Sequence, residues 1–367
     1  MIVFLALLAW LYLIFLHGRF WESGPALQPA RPLTAPDVDI IVPARDEAAT
    51  IGPVIASLLA QDYAGKFRII LVDDNSTDGT AMAAGLHQRL TIITGTPKPA
   101  GWAGKLWALA QGVAASTAPL LLFTDADITH DPRHLATLVS RLNTPRADMV
   151  SEMVRLHCTS WPERLLIPAF VYFFQMLYPF AQVNDPRARR AAAAGGVVLL
   201  RREALSRAGG LEAIKSALID DVALARAMKK SGTIFLGHST LAQSIRPYPK
   251  TADIWAMVTR SAFTQLNYSA LLLAGTILGL IFIWLVAPCA IIFSGIGSWR
   301  FFLGLSTYGI GALSFFPTLQ RYNQPKYLAL LLPGIAVFYM AATIASAVQH
   351  WRGTGAKWKR RTYGGAA

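Results

Sequence analysis

The sequence predicts an α/β protein: a mostly parallel sheet with helices on both faces, flanked by apolar membrane segments at its two ends. Three observations carry this. Short apolar runs recur between residues 38 and 124, each closed by a polar cluster and separated from the next by helical periodicity. The composition is 54% hydrophobic and only 15% charged, where soluble domains run near a quarter charged. The charge is also segregated. The net +13 comes from 34 basic and 21 acidic residues. Every acid lies at or before Asp253, and beyond it stand only cations such as Arg260, Arg300, Arg321 and Lys326. A basic excess beside apolar spans marks a membrane surface rather than nucleic acid. The composition excludes a disordered chain and a small disulfide scaffold. Cys158 and Cys289 are far apart and read as packing residues.

Residues 1–16, MIVFLALLAWLYLIFL, are uncharged, and about 17–25 apolar residues span a bilayer. No cation precedes this run, while His17 and Arg19 follow it, so we expect a retained anchor over 1–18 with Arg19 inside. A linker, 19–37, leads to the body, 38–260. Val38–Val42 reads as a buried strand ending at Pro43, and the next helix starts near Thr50, a candidate cap. Phe67–Val72 is a second strand, closed by DDNSTDGT, and Thr91–Thr94 a third. Leu106–Ala115 is helical, and Leu120–Thr124 is a strand closed by DAD. Leu165–Asn184 is uncharged, aromatic-rich and broken by Pro168 and Pro179, and reads as a segment lying against a bilayer near 165–184. A C-terminal membrane region covers 261–349, with spans at 269–293 and 327–349 and a weaker one at 301–317. A basic tail, 350–367, ends the chain. Three spans would carry that tail across the membrane, against its charge, so either one apolar segment, of which 301–317 is the weakest, does not fully cross or the tail breaks the charge rule.

In a parallel sheet, ligands bind at the carboxyl ends of the strands. The clusters at Pro43–Glu47, Asp73–Asp78 and Asp125–Asp127 all fall there. Asp125 and Asp127, two apart after a buried strand, suit a hard divalent ion completed by substrate phosphates; the plainer alternative is a solvated loop. Asp73, Asp74 and Asp78 also suit a turn. Gly104-Lys105 opens a helix, as a phosphate contact would, or as an exposed lysine would. Gly195-Gly196 precedes an apolar run. Asp220-Asp221 reads either as a carboxylate pair with a base of raised pKa or as an ordinary acidic first helix turn. Arg246, Tyr248 and Arg260 read as positive flanks of a span, His130 and His134 as surface residues of one helix face, and His238 as an extra metal ligand.

Together the segments DIIVPARDEAATIG, IILVDDNSTDGT, GWAGKLWALAQG, LLFTDADI, AAGGVVLLRREAL and IDDVALA, in this order, resemble family 2 glycosyltransferases with a GT-A (Rossmann-like) catalytic domain. PAGWAGKLWAL, the flanking apolar segments and the end WKRRTY resemble the hopene-associated glycosyltransferases of bacterial hopanoid biosynthesis, relatives of ceramide glucosyltransferase and of carotenoid glycosyltransferases. The resemblance implies a membrane-bound inverting enzyme of the bacterial inner membrane, multi-pass, with a cytoplasmic catalytic domain. It implies a UDP-linked nucleotide-sugar donor, a Mg²⁺ or Mn²⁺ cofactor and a lipid acceptor, with no nucleic-acid partner. It puts Pro43, Arg45 and Glu47 near the nucleoside, one or both of Asp73 and Asp74 on the base, and Lys105 near the donor. Asp127 binds the metal and Asp125 the ribose, sugar or metal. Asp221 is the general base, with Asp220 where the family usually has Glu. Arg260, with Gly195 and Gly196, is assigned to phosphate or acceptor. Met257-Val258-Thr259-Arg260-Ser261 lacks the first polar residue and the Trp of the Gln/Arg-x-x-Arg-Trp motif, which argues against processive synthesis. Other lipid acceptors (polyprenyl phosphate, ceramide-like, diacylglycerol) and an inactive scaffold are the alternatives.

Overall fold

The computed structural model describes residues 1–143 and 147–354, with the backbone of 357–358 and 361–362. The chain forms two compact units, one made of Pro25–His157 with Gln182–Arg246, the other of Met1–Gly24, Cys158–Ala181 and Pro247 onward.

The first unit is built on an eight-stranded sheet. Its strands are β1 (Val38–Ala44), β2 (Phe67–Asp73), β3 (Leu90–Thr94), β4 (Leu120–Thr124), β5 (Ile128–His130), β6 (Met149–Arg155), β7 (Val197–Arg201) and β8 (Ile234–Ser244). They lie in the order β3-β2-β1-β4-β7-β6-β8-β5. The strands expected from apolar runs are the parallel half: β3, β2, β1 and β4 pair side by side in one direction. β7 then runs antiparallel to both β4 and β6, and β5 antiparallel to β8, while β6 and β8 are parallel. The sheet is therefore mixed but mostly parallel, with all strands except β7 and β5 running in one direction. The reversal at β7 is a long-range pairing that no local pattern encodes. β1 and β4 are buried along their whole length, as strands covered on both faces must be. β1 runs on through Pro43 to Ala44, and the following helix, Ala48–Leu59, is N-capped at Glu47. Thr50 is not the cap; its hydroxyl donates to the Glu47 carboxylate at 3.0 Å. Helix Gly104–Ala114 lies so close to β1 that a Cβ at Gly112 would come within 2.4 Å of Ile41 Cγ2. That close approach fixes where the helix's first turn, with Lys105, ends up.

The second unit is helical. Ile2–Phe15 has 14 residues, short of a full span. The stretch 269–293, expected as one span, breaks at Leu285 into Ala270–Trp284 and Val286–Phe293, bent by 43°. The segment expected to be the weak one is instead the continuous helix Trp299–Arg321, 23 residues long. With Lys326–Trp351 it makes two helices long and apolar enough to cross a membrane among the described residues. Trp299–Arg321 keeps its length because Pro317 is tolerated inside it, and it buries its small residues, among them Gly304, Gly311 and Ala312. The aromatic-rich stretch from 165 forms helix Trp161–Leu177, closed at its start by a Ser160–Glu163 capping box. Its Tyr172 is fully buried, with its hydroxyl 2.6 Å from Ser314 Oγ. Large apolar side chains such as Leu271, Ile292, Phe293 and Ile296 face outward on this unit. Exposed apolar side chains of this size suit a surface that meets something other than water. Cys158 is partly buried and Cys289 exposed, both as free thiols, so Cys289 does not serve as interior packing. Lys359 and Arg360 of the basic tail lie outside the described residues.

Candidate active site

The carboxyl ends of β1, β2 and β4 form an arc of charged residues. At its centre Lys105, carried on the first turn of its helix, reaches Asp125 Oδ1 at 2.8 Å and Asp220 Oδ2 at 3.3 Å. Asp221 Oδ2 accepts the Gly195 N–H at 2.8 Å, and its Oδ1 the Val222 N–H at 2.7 Å. A Cβ on Gly195 would sit 3.3 Å from Asp221 Oδ2 and 3.4 Å from Lys105 Nζ, so glycine keeps this corner open. The neighbouring Gly196 carbonyl accepts the Asp125 N–H at 3.2 Å, which ties the end of β4 to the same loop. Pro43 lines this cleft with Lys105, Asp125, Gly195, Asp220 and Asp221.

On one side of this centre, Arg246 Nε donates to Asp127 Oδ2 at 2.6 Å, and its Nη2 donates to both Glu47 carboxylate oxygens at 2.6 Å. Next to it, Arg45 Nη1 donates to the Asp74 carbonyl at 2.6 Å and lies 3.4 Å from Asp74 Oδ2. Asp73 Oδ1 accepts the Ser76 N–H at 3.0 Å, and Asp78 accepts the N–H groups of Ala48 and Thr80, so both also fill turn and cap roles.

The electrostatics separate the roles. Burial pushes the Asp221 carboxyl up, the charge of Asp220 adds to this, and Lys105 only partly offsets it, leaving the group at about 7. Asp125 is raised by desolvation, opposed by Lys105 and reinforced by Asp127 and Asp220. Burial alone would lower Lys105, but the carboxylates of Asp125 and Asp220 outweigh it and hold the amine firmly protonated. Burial likewise opposes the charge of Arg246, and Asp127 and Glu47 more than reverse the effect. Three carboxylates crowd one lysine, and a carboxyl near 7 can take up a proton from a hydroxyl at neutral pH.

A hard divalent cation fits this donor set in one specific way. Among the described residues no group of three or more His, Cys, Asp or Glu side chains is arranged to hold an ion alone. Asp125 and Asp127 offer carboxylate oxygens only, in a place with more acid than base. That is the pattern of an ion held by one or two carboxylates and completed by substrate phosphates and water.

Of the residues expected from sequence, Pro43, Arg45, Glu47, Asp73, Asp74, Lys105, Asp125, Asp127, Gly195, Gly196, Asp220 and Asp221 all belong to the sheet-bearing unit. Arg260 belongs to the helical unit, as the C-cap of Thr251–Thr259. Tyr248 is there too, its N–H donating to the buried Glu163 carboxylate at 2.6 Å. Arg246 is the residue that the sequence reading misplaced: it holds two site carboxylates rather than flanking a span. Its position follows from β8 pairing antiparallel with β5, with Ile128 opposite Ser244 and the Ile245 N–H bonded to the Asp127 carbonyl at 2.9 Å. Only the strand pairing brings position 246 back to 127. His130 and His134 are buried, not surface residues, and His130 belongs to β5 rather than to a helix. His238 is buried within β8 and joins no cluster of metal-binding side chains among the described residues.

A profile of the family described as Glycosyl transferase family 2 matches residues 39–209. An N-acetylglucosaminyltransferase of Bradyrhizobium elkanii is 32% identical over 149 residues, 35% of this chain and 80% of the relative. A dodecaprenyl-phosphate galacturonate synthase of Rhizobium johnstonii is 26% identical over 128 residues, 32% of this chain. The match spans about a third of that synthase's own length, 36%. A solved structure of a mannosyltransferase from Pyrobaculum calidifontis, in complex with GDP-Man and Mn²⁺, superposes with a TM-score of 0.56. It is 20% identical and covers 95% of this chain and 98% of that one, a likeness of fold. With a GT-A-like mixed sheet, the family profile over residues 39–209 and a relative matched over four-fifths of its length, the chain belongs to glycosyl transferase family 2.

Proposed function

We propose that the protein is an inverting glycosyltransferase that moves a sugar from a nucleotide-sugar donor, UDP-linked, to a lipid hydroxyl, with hopanoid (triterpenoid) lipids as the acceptor class. The observation that carries it is the convergence of Lys105, Asp125, Asp220 and Asp221 on one cleft at the carboxyl ends of the strands. Asp221 takes the acceptor hydroxyl proton as that oxygen attacks the anomeric carbon; a carboxyl near 7 is matched to this task. Lys105 presents a fixed positive charge to the departing diphosphate. Arg45 and Asp74 hold the nucleoside end of the cleft, and Gly195 leaves room beside the base. A divalent ion held by Asp127 and Asp125 supplies Lewis-acid stabilisation of the diphosphate when bound.

The apolar helices support a lipid acceptor, since helices of that length and composition suit a bilayer, where such a hydroxyl is found. In this reading the catalytic part faces the cytoplasm at the bacterial inner membrane, between an anchor over 1–18 and a membrane region over 261–349. The one named lipid among the reported relatives is dodecaprenyl phosphate, which makes a polyprenyl-phosphate acceptor the second reading. Membranes containing the protein, incubated with labelled UDP-sugars and either triterpenoid or polyprenyl-phosphate acceptors, decide between them by mass spectrometry of the product. Label in a triterpenoid supports the first reading and label in polyprenyl phosphate replaces it. No labelled lipid with any donor removes both.

A further inference from the structure

A chain of buried polar side chains runs from β6 to the end of β4, and the proposed mechanism does not use it. Glu152 Oε2 lies 2.6 Å from His134 Nε2. His134 Nδ1 lies 2.8 Å from His130 Nδ1, and His130 Nε2 lies 3.0 Å from Thr124 Oγ1. The Thr124 hydroxyl donates to the Gly196 carbonyl at 3.0 Å. Glu152, His134 and Thr124 are each no more than 1% exposed, and His130 is 6% exposed.

The last link sets the direction of every other. Because Thr124 spends its one hydrogen on Gly196, His130 Nε2 must donate to Thr124 Oγ1. One hydrogen must also sit between the two Nδ1 atoms and one between His134 and Glu152. Thr124 and two neutral imidazoles supply three hydrogens for four links. The fourth is one extra proton shared by the Glu152–His134 end, which cancels the carboxylate charge. The chain is then neutral and fully satisfied, the condition under which such a network persists in a protein interior. His130 itself stays neutral, since burial and the adjacent His134 both oppose its charging.

We propose that Glu152, His134 and His130 are positioning residues that hold Thr124, and through it the Asp125–Asp127 turn and the Gly195–Gly196 loop, in register with Asp221. The Gly196 carbonyl accepts from both Thr124 Oγ1 and the Asp125 N–H, while the adjacent Gly195 N–H binds Asp221. The relay therefore ends at the atom that ties the D-x-D turn to the proposed base. This rests on the site assignment above.

Two measurements on the full-length protein test it. In ¹⁵N spectra of histidine-labelled protein, one buried imidazole should carry its hydrogen on Nε2 and none of its own on Nδ1. A buried pair with every Nε2 unprotonated overturns the relay. In the second measurement, Glu152→Gln can still supply the fourth hydrogen from its amide, whereas Glu152→Leu and His134→Leu cannot. UDP-sugar turnover should therefore stay within about twofold in Glu152→Gln. In the two leucine variants kcat should fall about 10- to 100-fold, with donor KM little changed. Full kcat in the leucine variants, or equal loss in all three, overturns the positioning role. If wild-type protein turns over no sugar nucleotide, the proposed function fails instead. The spectra, and Mn²⁺ titrations of the same variants followed by electron paramagnetic resonance, then decide the relay: a weakened Mn²⁺ site in the leucine variants alone supports it, and unchanged affinity in all overturns it.

Discussion

Carboxylates stand at both ends of the β1–β4 pair, Asp39 at the start of β1 and Asp125 beyond the end of β4, and the two ends treat them in opposite ways. Near the start of β1, Asp39 is 3% exposed and fully answered. It accepts Arg68 Nε at 2.7 Å and Nη2 at 3.0 Å, the Ser116 hydroxyl at 2.5 Å, and the N–H groups of Thr117 and Ala118. Burial alone would raise its pKa, but these partners more than reverse that and hold it below the usual carboxylate range. Beyond the end of β4, Asp125 shares one lysine with Asp220, and Asp221 has two N–H partners but a charged neighbour; both are held above that range. The difference teaches how to tell a structural acid from a reactive one of the same residue type. A structural carboxylate has more donors than it needs, and a reactive one has fewer.

The sharpest way to break this comparison is to remove the proposed base. Asp221→Asn should lower kcat by about 10²–10⁴-fold in a UDP-release assay, the usual range for a general base. The wild-type rate should rise with pH through about 7. Retained turnover in the variant would take the base assignment away. Asp127→Ala should cost about 10²–10³-fold in metal-dependent turnover, in line with loss of one electrostatic contact at a developing charge. Replacing Arg246 by Gln frees Asp127 and Glu47, so Mn²⁺ affinity measured without donor should rise about tenfold, the scale of a neighbouring group's effect on a metal site. Unchanged affinity would mean the guanidinium does not compete with the ion. At the other end, Asp39→Ala strands several buried donors and should lower stability by about 1–3 kcal/mol in urea unfolding, with kcat per folded molecule unchanged.

The smallest effect sharpens the contrast by sign. A carboxyl whose folded pKa is raised contributes stability that is present below its unfolded pKa and lost as pH rises through the folded value. For Asp221 that window runs from about 4, the ordinary carboxylate value, to about 7. The Tm of Asp221→Asn should therefore gain on wild type across that window and hold a constant lead above it. For Asp39, whose pKa is lowered, the sign reverses: its contribution is present above the unfolded value and lost as pH falls through the folded one. A Tm lead for Asp221→Asn that shrinks with rising pH would contradict the frustration argued above.

Much of this was legible in the sequence. Apolar runs ending in DAD and DDNSTDGT mark strand ends, because a strand covered on both faces must be apolar and its ligand end must not be. Helix starts were read less well. Thr50 offers a capping side chain, but the structure caps the helix at Glu47, whose backbone turns first. What local pattern cannot carry is pairing at a distance. β7 and β8 meet β4 and β5 from about 70 and 115 residues further along the chain, and that pairing brings Arg246 to Asp127 and buries His130 and His134. Composition also misjudged the apolar end. It counts residues, so it favoured 269–293 over 301–317, whereas an unbroken hydrogen-bonded helix decides which segment has the length.

Trp299–Arg321 and Lys326–Trp351 are joined by only the four residues 322–325. On so short a tie, a bilayer that received one of these helices would lie within reach of the other. Inserted together they form a there-and-back stitch, so the chain leaves at Trp351 on the leaflet where it entered at Trp299. The cationic finish of the polypeptide then keeps to the charge rule where the kinked pair before it turns back without crossing.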